Sequence, residues 1–108
     1  MNTCSCDDCS AFSSSCPRLS YLSSLFKLVA EENRLKIMCL LKNKKHCICE
    51  IVDELGLSQS LISHHMSDLR QANLVFNEKK GQRTYYQLTN LGQQVVAGFS
   101  EFHDNSCL

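Results

Sequence analysis

Two cysteines separated by one residue, Cys47 and Cys49, form the part of this chain best suited to chemistry. Thiolates are soft ligands, and they suit thiophilic ions such as Cd(II), Pb(II), Zn(II) and arsenite. In a regular helix, residues two apart point about 200° away from each other, so their sulfurs do not face one ion. Where a helix begins and the backbone is still extended, residues two apart share a face. We therefore predict that this pair starts a helix and binds a metal or metalloid ion there.

The structural alternative is that the pair supplies two small apolar side chains packed beneath the helix. A soft ion normally takes three or four donors, so a complete site needs further ligands. Four more cysteines stand in the first sixteen residues of the chain: Cys4, Cys6, Cys9 and Cys16. This segment is rich in Ser, Cys and Asp, so we expect residues 1–16 to form a flexible arm. Its thiols either complete the site or belong to an inert tail.

Residues 17–108 are long enough for one folded domain, and hydrophobic spacing divides it into about five helices and a β-hairpin. Pro17 suits the start of the first helix, and Gly56 suits the end of the third. Ser58 is positioned to cap the fourth helix, and Thr89 or Asn90 to cap the last. The sequence thus predicts an α+β fold that is mostly α.

The third and fourth helices, separated by a tight turn, are typical of a helix-turn-helix. Residues 74–76 and 84–88 favour strands, and the turn 77–83 between them carries three cations, as expected of a β-hairpin wing. The residues predicted to contact double-stranded DNA are polar or cationic: Gln59, Ser60, Ser63, His64, Arg70, Lys79, Lys80 and Arg83. The helix residues would reach base edges and phosphates, and the wing would follow the flanking backbone. For each wing lysine taken alone, a solvated turn is an equal alternative.

Composition bounds the function further. The net charge is zero, which is unusual for a DNA-binding protein, but residues 59–86 carry four cations against two acidic residues. A two-fold dimer doubles that local excess. No apolar run approaches the ~18–20 residues that cross a bilayer, and the polar, acidic start does not resemble a secretory signal. We therefore expect a cytoplasmic protein without a membrane partner, in which cysteines serve metal binding or redox chemistry.

Four segments in this order resemble the ArsR/SmtB family of winged-helix repressors: Glu32–Ile37, Cys47–Ile51, Leu57–His65 and Gly81–Leu88. The resemblance extends from about residue 19 to residue 102. It implies a homodimer assembled through the first and last helices. It also implies a repressor that leaves its operator when an inducer binds.

Members of this family hold their inducers at different places. Some arsenite-sensing relatives have a third cysteine three residues after the second, where this chain has Val52. Cadmium- and lead-sensing relatives borrow cysteines from the N-terminal arm, often that of the other subunit, which implies a ligand role for the arm thiols of this chain. Zinc-sensing relatives use acid-and-His pairs on the last helix, and the matching positions here are Asn90, Gly92, His103 and Ser106. Because only the histidine is retained, we expect no zinc site of that type.

Cys39 and Cys107 offer a different chemistry. Persulfide-sensing relatives pair a second-helix cysteine with a last-helix cysteine, and Cys39 matches the first position, whereas Cys107 lies about two residues beyond the second. We expect Cys39 to be a buried thiol replacing a core aliphatic residue, with a Cys39–Cys107 redox pair as the alternative. A small thiol oxidoreductase or a metal-buffering protein is the alternative of another class. The chain lacks a Cys-x-x-Cys on a βαβ frame, so we predict a non-enzymatic repressor without a small organic substrate.

Overall fold

The structure, a computed structural model, describes residues 17–102 of the 108-residue chain. Its elements in chain order are α1 (Pro17–Val29), α2 (Glu32–Leu41), β1 (His46–Cys47), α3 (Ile48–Leu55), α4 (Gln59–Gln71), β2 (Val75–Lys80), β3 (Arg83–Leu88) and α5 (Asn90–Phe102). The predictions for Cys4, Cys6, Cys9, Cys16, His103, Ser106 and Cys107 concern positions outside the described residues. The order of elements confirms the winged helix-turn-helix.

Local sequence signals set the helix ends as expected. Gly56 closes α3 with φ 69°, a left-handed conformation that glycine adopts without strain. The Ser58 hydroxyl caps α4 by accepting a hydrogen bond from the Leu61 amide at 3.1 Å. At the start of α5, the Thr89 hydroxyl accepts from the Gly92 amide at 3.0 Å. Thr89, rather than Asn90, is therefore the capping side chain.

The sheet differs from the sequence prediction in two ways. It has three antiparallel strands in the order β1-β3-β2, because His46 and Cys47 pair with Tyr86 and Tyr85 of β3. In addition, β2 and β3 run on to Lys80 and Arg83, so the wing turn is two residues long rather than the predicted 77–83. The β-hairpin wing of β2 and β3 is confirmed. The third strand was not predicted because β1 is too short to show a hydrophobic period, and the extra length of the hairpin was not predicted because its ladder is built largely of polar residues.

The core lies between α2, α3, α4 and the base of the sheet, with one turn of α5 closing it. Its fully buried large side chains are Ile37, Met38, Ile51, Ile62, Met66, Leu69, Leu74, Val75 and Val96. Ile62, Met66 and Leu69 confirm the predicted inward face of α4, which leaves the opposite face of that helix to solvent. Within residues 17–102, no helix is long and apolar enough to cross a membrane.

The first turn of α5 packs directly on the chain segment before β2. A Cβ atom at Gly92 would collide with the Leu74 carbonyl oxygen and press on the Leu88 side chain. This close approach leaves no room for a metal-binding side chain at that position of α5.

Candidate thiol site and DNA-binding surface

Cys47 and Cys49 converge at the start of α3. Cys47 is the residue before the first helical turn, with extended backbone angles of φ −88° and ψ 167°. Its amide donates to the Glu50 carboxylate at 3.1 Å, which fixes the chain direction as it enters the helix. The two Sγ atoms lie 2.7 Å apart, with Cys47 buried and Cys49 exposed. At this position, two cysteines separated by one residue can therefore present both sulfurs to one ion.

The two thiols differ in acidity. Burial alone would raise the pKa of Cys47, but hydrogen bonds from the Cys49 thiol and the Glu50 amide outweigh burial and lower it. The pKa of Cys49 is raised, first by its hydrogen bond to Cys47 and then by burial. The shared contact thus lowers the pKa of one thiol and raises that of the other.

A wing arginine reaches this pair. Arg83, at the start of β3, points Nη1 at Cys47 Sγ at 3.8 Å. The pKa of Arg83 is raised, first by a hydrogen bond with the Tyr85 side chain and then by the charges of Cys49 and Cys47. Sequence reasoning assigned Arg83 to DNA phosphates alone. The β1–β3 pairing brings Arg83 close to the thiols, and a strand of two residues leaves no sequence pattern from which this pairing could be predicted.

Within residues 17–102, no group of three His, Cys, Asp or Glu side chains converges on one point. Val52, where a third helix cysteine would stand, is an aliphatic side chain and offers no donor. The donor chemistry of Cys47 and Cys49 fits a soft ion, but these residues supply two ligands of the three or four required. Any additional donors come from beyond the described residues, from a second copy, or from solvent.

Cys39 departs from its prediction. It lies half-buried on α2, beside the fully buried Met38. It is disulfide-bonded, whereas Cys47 and Cys49 are free thiols. The prediction of a buried thiol replacing a core aliphatic residue was wrong, because the helical spacing that suggested it does not separate a core position from one at the core's edge.

The residues predicted to read DNA lie on the outer side of α4. The exposed ones are Gln59, Ser60, His64 and Arg70, and Ser63 is half-buried. His64 is 67% exposed, and its Nε2 lies 3.5 Å from Asp68 Oδ2 one turn later. Leu61, an exposed apolar residue of the first turn, also lies among them and suits contact with a thymine methyl group. The polar face at the N-terminal half of α4 is thus free to enter a major groove.

A polar network holds α4 against α2. Arg34 of α2 donates from Nη2 to Asp68 at 2.5 Å, from Nε to His65 Nδ1 at 3.2 Å and from Nη1 to the Leu28 carbonyl at 3.0 Å. Because His65 accepts through Nδ1, its proton lies on Nε2, which is 3.7 Å from Glu31 Oε1. Burial lowers the pKa of His65, so the neutral ring is favoured. The sequence gives no local signal for this network, because Arg34 lies about thirty residues before His65 and Asp68.

The wing is more basic than its own strands suggest. Lys79, Lys80 and Arg83 are exposed, as expected of residues that meet phosphates. Lys45, from the loop before β1, joins them: its Nζ lies 5.5 Å from the centre of the Tyr85 ring. The pKa of Lys45 is lowered, first by its contact with Lys80. Lys45 lies beside the wing because the β1–β3 pairing brings the loop before β1 next to β3.

Comparison with known proteins identifies the family to which this fold is related. Residues 31–76, from the α2 cap to β2, match the family described as "Bacterial regulatory protein, arsR family". The chain is 34% identical over 71 residues to the cadmium resistance transcriptional regulatory protein CadC of Listeria innocua serovar 6a. That match covers 65% of this chain and 60% of CadC, so the chain spans less than two thirds of that relative.

A longer match joins the chain to an arsenic-resistance protein. The arsenical resistance operon repressor of Bacillus subtilis is 38% identical over 89 residues, covering 76% of this chain and 85% of the repressor. Among solved structures, reduced HlyU from Vibrio cholerae superposes with a TM-score of 0.75 at 28% identity, covering 82% of this chain and 95% of HlyU. These relatives are regulators, which confirms the prediction of a regulator rather than an enzyme. The chain belongs to the ArsR family of bacterial regulatory proteins.

Proposed function

We propose that this chain is a transcriptional repressor that binds operator DNA and releases it when a thiophilic ion occupies Cys47 and Cys49. The observation that carries the proposal is the 2.7 Å approach of the two sulfurs at the start of α3, the first helix of the helix-turn-helix. Cadmium, lead and zinc ions and arsenite all suit thiolate ligands. The names of the CadC and arsenical resistance relatives support this class of inducer.

Operator binding is assigned to α4 and the wing. The outer face of α4 carries Gln59, Ser60, Ser63, His64 and Arg70, and the wing carries Lys79, Lys80 and Arg83. Side chains at the N-terminal half of a recognition helix reach base edges, whereas wing cations meet phosphates without reading sequence. A repressor that binds operator DNA works in the cytoplasm, where we expect this protein.

The ligand set is completed, in this proposal, by cysteines of the N-terminal arm: Cys4, Cys6, Cys9 and Cys16. The support is chemical, because two thiolates leave a soft ion one or two donors short. The arm of the same chain or of a partner chain supplies the missing sulfurs. Deleting residues 1–16 should then lower Cd(II) affinity and leave operator binding in place.

A homodimer is the form in which we expect the repressor to act. Helix α1 exposes two aromatic rings, Phe26 at 61% and Tyr21 at 53%, which is costly for a monomer. Val95 and Phe99 of α5 are only partly covered by the core. Burying α1 and α5 against a second copy removes these surfaces from water and places two α4 helices for two half-sites. Phe26→Glu should shift sedimentation of the chain towards the monomer.

The deciding experiment measures operator affinity by fluorescence anisotropy, on a duplex from the region upstream of the chain's own gene. Wild type should lose affinity when Cd(II), Pb(II), Zn(II) or arsenite is added, by a factor of roughly 5–150 as in typical coupled sites. Cys47→Ser and Cys49→Ser should bind the duplex as wild type does and fail to release it. Ala30→Cys, which adds a thiol at an exposed position between α1 and α2, should be released normally. If both serine variants still release the duplex, the pair is not the inducer site.

A redox function is the second candidate, and the disulfide at Cys39 favours it. Closing a disulfide removes two electrons and two protons from a pair of thiols, which a polysulfide or a peroxide can accept. The similarity to reduced HlyU adds a relative whose redox state was defined. In this alternative Cys39 pairs with Cys107. Peptide mass spectrometry after polysulfide treatment tests it: a Cys39–Cys107 link, together with loss of release in Cys39→Ser, would rank this function above metal sensing.

A further inference from the structure

We propose that Arg83 is a positioning residue that ties the thiol pair to the wing, and that an ion on the thiols acts on DNA binding by displacing it. This inference rests on the proposed function, because it concerns how occupancy of Cys47 and Cys49 reaches the DNA-binding surface. Two independent observations carry it. One is the 3.8 Å contact from Arg83 Nη1 to Cys47 Sγ, and the other is the pairing of β1 with β3.

The contact joins two parts of the fold that have separate tasks. Cys47 begins the helix-turn-helix, and Arg83 is the first residue of β3 after the wing turn, paired with Lys80. The Arg83 guanidinium donates to Cys47 Sγ, and its planar fork gives this contact a defined direction. The contact therefore holds the turn end of the wing in one position relative to α3.

A thiophilic ion needs the same sulfur. It binds through the lone pairs of Cys47 Sγ and brings positive charge, so it competes with the guanidinium for the acceptor and repels it at short range. Arg83 is exposed and has a long, flexible stem, so it can leave without disturbing the core. Once it leaves, the wing loses this side-chain link to Cys47, while the β1–β3 ladder is retained.

The chain offers matched controls for this mechanism. Lys79 is another exposed wing cation, but it lies on β2 opposite Thr84, on the strand that does not pair with β1. Lys79→Gln removes a cation from the wing and spares the thiol contact, whereas Arg83→Gln removes both. Arg83→Lys keeps the charge and loses the planar fork, so it separates charge from geometry. Cys47→Ser keeps an acceptor for Arg83, and Cys47→Ala does not.

The first arm of the test needs no metal. Operator affinity of the reduced, full-length chain is measured for wild type, Arg83→Gln, Cys47→Ala and the double variant, with circular dichroism to check folding. If the contact positions the wing, each single variant weakens binding, and the double variant is no weaker than the weaker single. Losses that multiply, or a Cys47→Ala variant with wild-type affinity, overturn the inference. If Arg83→Gln does not fold, the same cycle is run with Arg83→Lys.

The second arm adds Cd(II) and compares each variant's affinity with and without it. Wild type and Lys79→Gln should show the same fold-release, although Lys79→Gln starts from weaker binding. Arg83→Gln should be released less than about twofold while binding Cd(II) as tightly as wild type in the absence of DNA. Full release of Arg83→Gln overturns the inference and leaves the proposed function standing. Failure of wild type to respond to any thiophilic ion removes the proposed function, and the metal-free arm still decides whether Arg83 positions the wing.

Discussion

Two arginines of this chain are held in opposite ways. Arg34 is half-buried and has three fixed partners, the Asp68 carboxylate, the His65 ring and the Leu28 carbonyl, at 2.5, 3.2 and 3.0 Å respectively. Arg83 is exposed and reaches Cys47 through one contact of 3.8 Å. Arg34 joins α2 to α4, and Arg83 joins the thiol pair to the wing.

The difference indicates that the Arg34 joint between α2 and α4 is fixed, whereas the Arg83 joint between Cys47 and the wing can open. Breaking the Arg34 contacts would leave the half-buried Asp68 carboxylate, the His65 ring and the Leu28 carbonyl without this donor, so the two helices are expected to move as one body. Breaking the Arg83 joint returns a guanidinium to solvent at little cost. A signal that starts at the thiols is therefore expected to move the wing and leave the α2–α4 packing unchanged.

The largest effect should come from breaking the fixed joint. Arg34→Ala leaves Asp68, His65 Nδ1 and the Leu28 carbonyl without their donor, and we expect it to lower the free energy of unfolding by about 2–4 kcal/mol. Urea denaturation followed by circular dichroism measures this. The control is Lys36→Ala, which removes the exposed pair with Glu32 and should cost about 0.5 kcal/mol or less. Equal losses in the two variants would mean that the network is not a joint.

The outer face of α4 should be separable from that joint. His64→Ala removes an exposed ring that contacts Asp68 only at 3.5 Å, so the Arg34–Asp68 pair is retained. We expect it to weaken operator affinity by about 1–3 kcal/mol with little change in stability. Gln71→Ala, at the exposed C-terminal end of the same helix, is the control and should bind as wild type does. Wild-type affinity in His64→Ala would remove this residue from the DNA-binding surface.

These joints mark where sequence reasoning succeeds and where it stops. Caps and periodicity act over three or four residues, so Gly56, Ser58 and the inward face of α4 could be predicted from neighbouring residues. The approach of Cys47 to Cys49 followed from backbone geometry at a helix start. Arg83 is 36 residues from Cys47, and that contact depends on the β1–β3 register, which has no local signal.

The fixed joint should also give stability a pH dependence. His65 is buried with its pKa lowered, first by burial, and it faces Glu31 at the cap of α2, Arg34 of α2, and His64 and Asp68 of α4. The unfolded ring titrates near 6.5, so the unfolded state binds more protons below that pH. The stability from the neutral ring is thus fully present above pH 6.5 and is lost as the pH falls through the lowered folded value. Urea midpoints between pH 5 and 8 should fall less steeply in His65→Gln, and identical slopes would contradict the assignment.

The smallest expected effect on DNA affinity concerns Lys45, which lies beside the wing. Lys45 and Lys80 approach closely enough to lower the pKa of Lys45, so two cations share one region beside the Tyr85 ring. Such an arrangement is relieved when an anion lies between the two charges, and a DNA phosphate is the anion that this surface would meet. We expect Lys45→Gln to reduce the slope of log affinity against log salt concentration by about one.

Lys44 provides the matched control for that measurement, because it is an exposed cation of the same loop and lies one residue before Lys45. Counterion release counts only charges that contact phosphates, so Lys44→Gln should leave the salt slope unchanged. If both variants reduce the slope equally, the loop contributes a diffuse positive field rather than a phosphate contact. If only Lys45→Gln does so, and its release by Cd(II) is undiminished, then this cation serves DNA binding, and Arg83 remains the wing cation whose contact with the thiols conveys release.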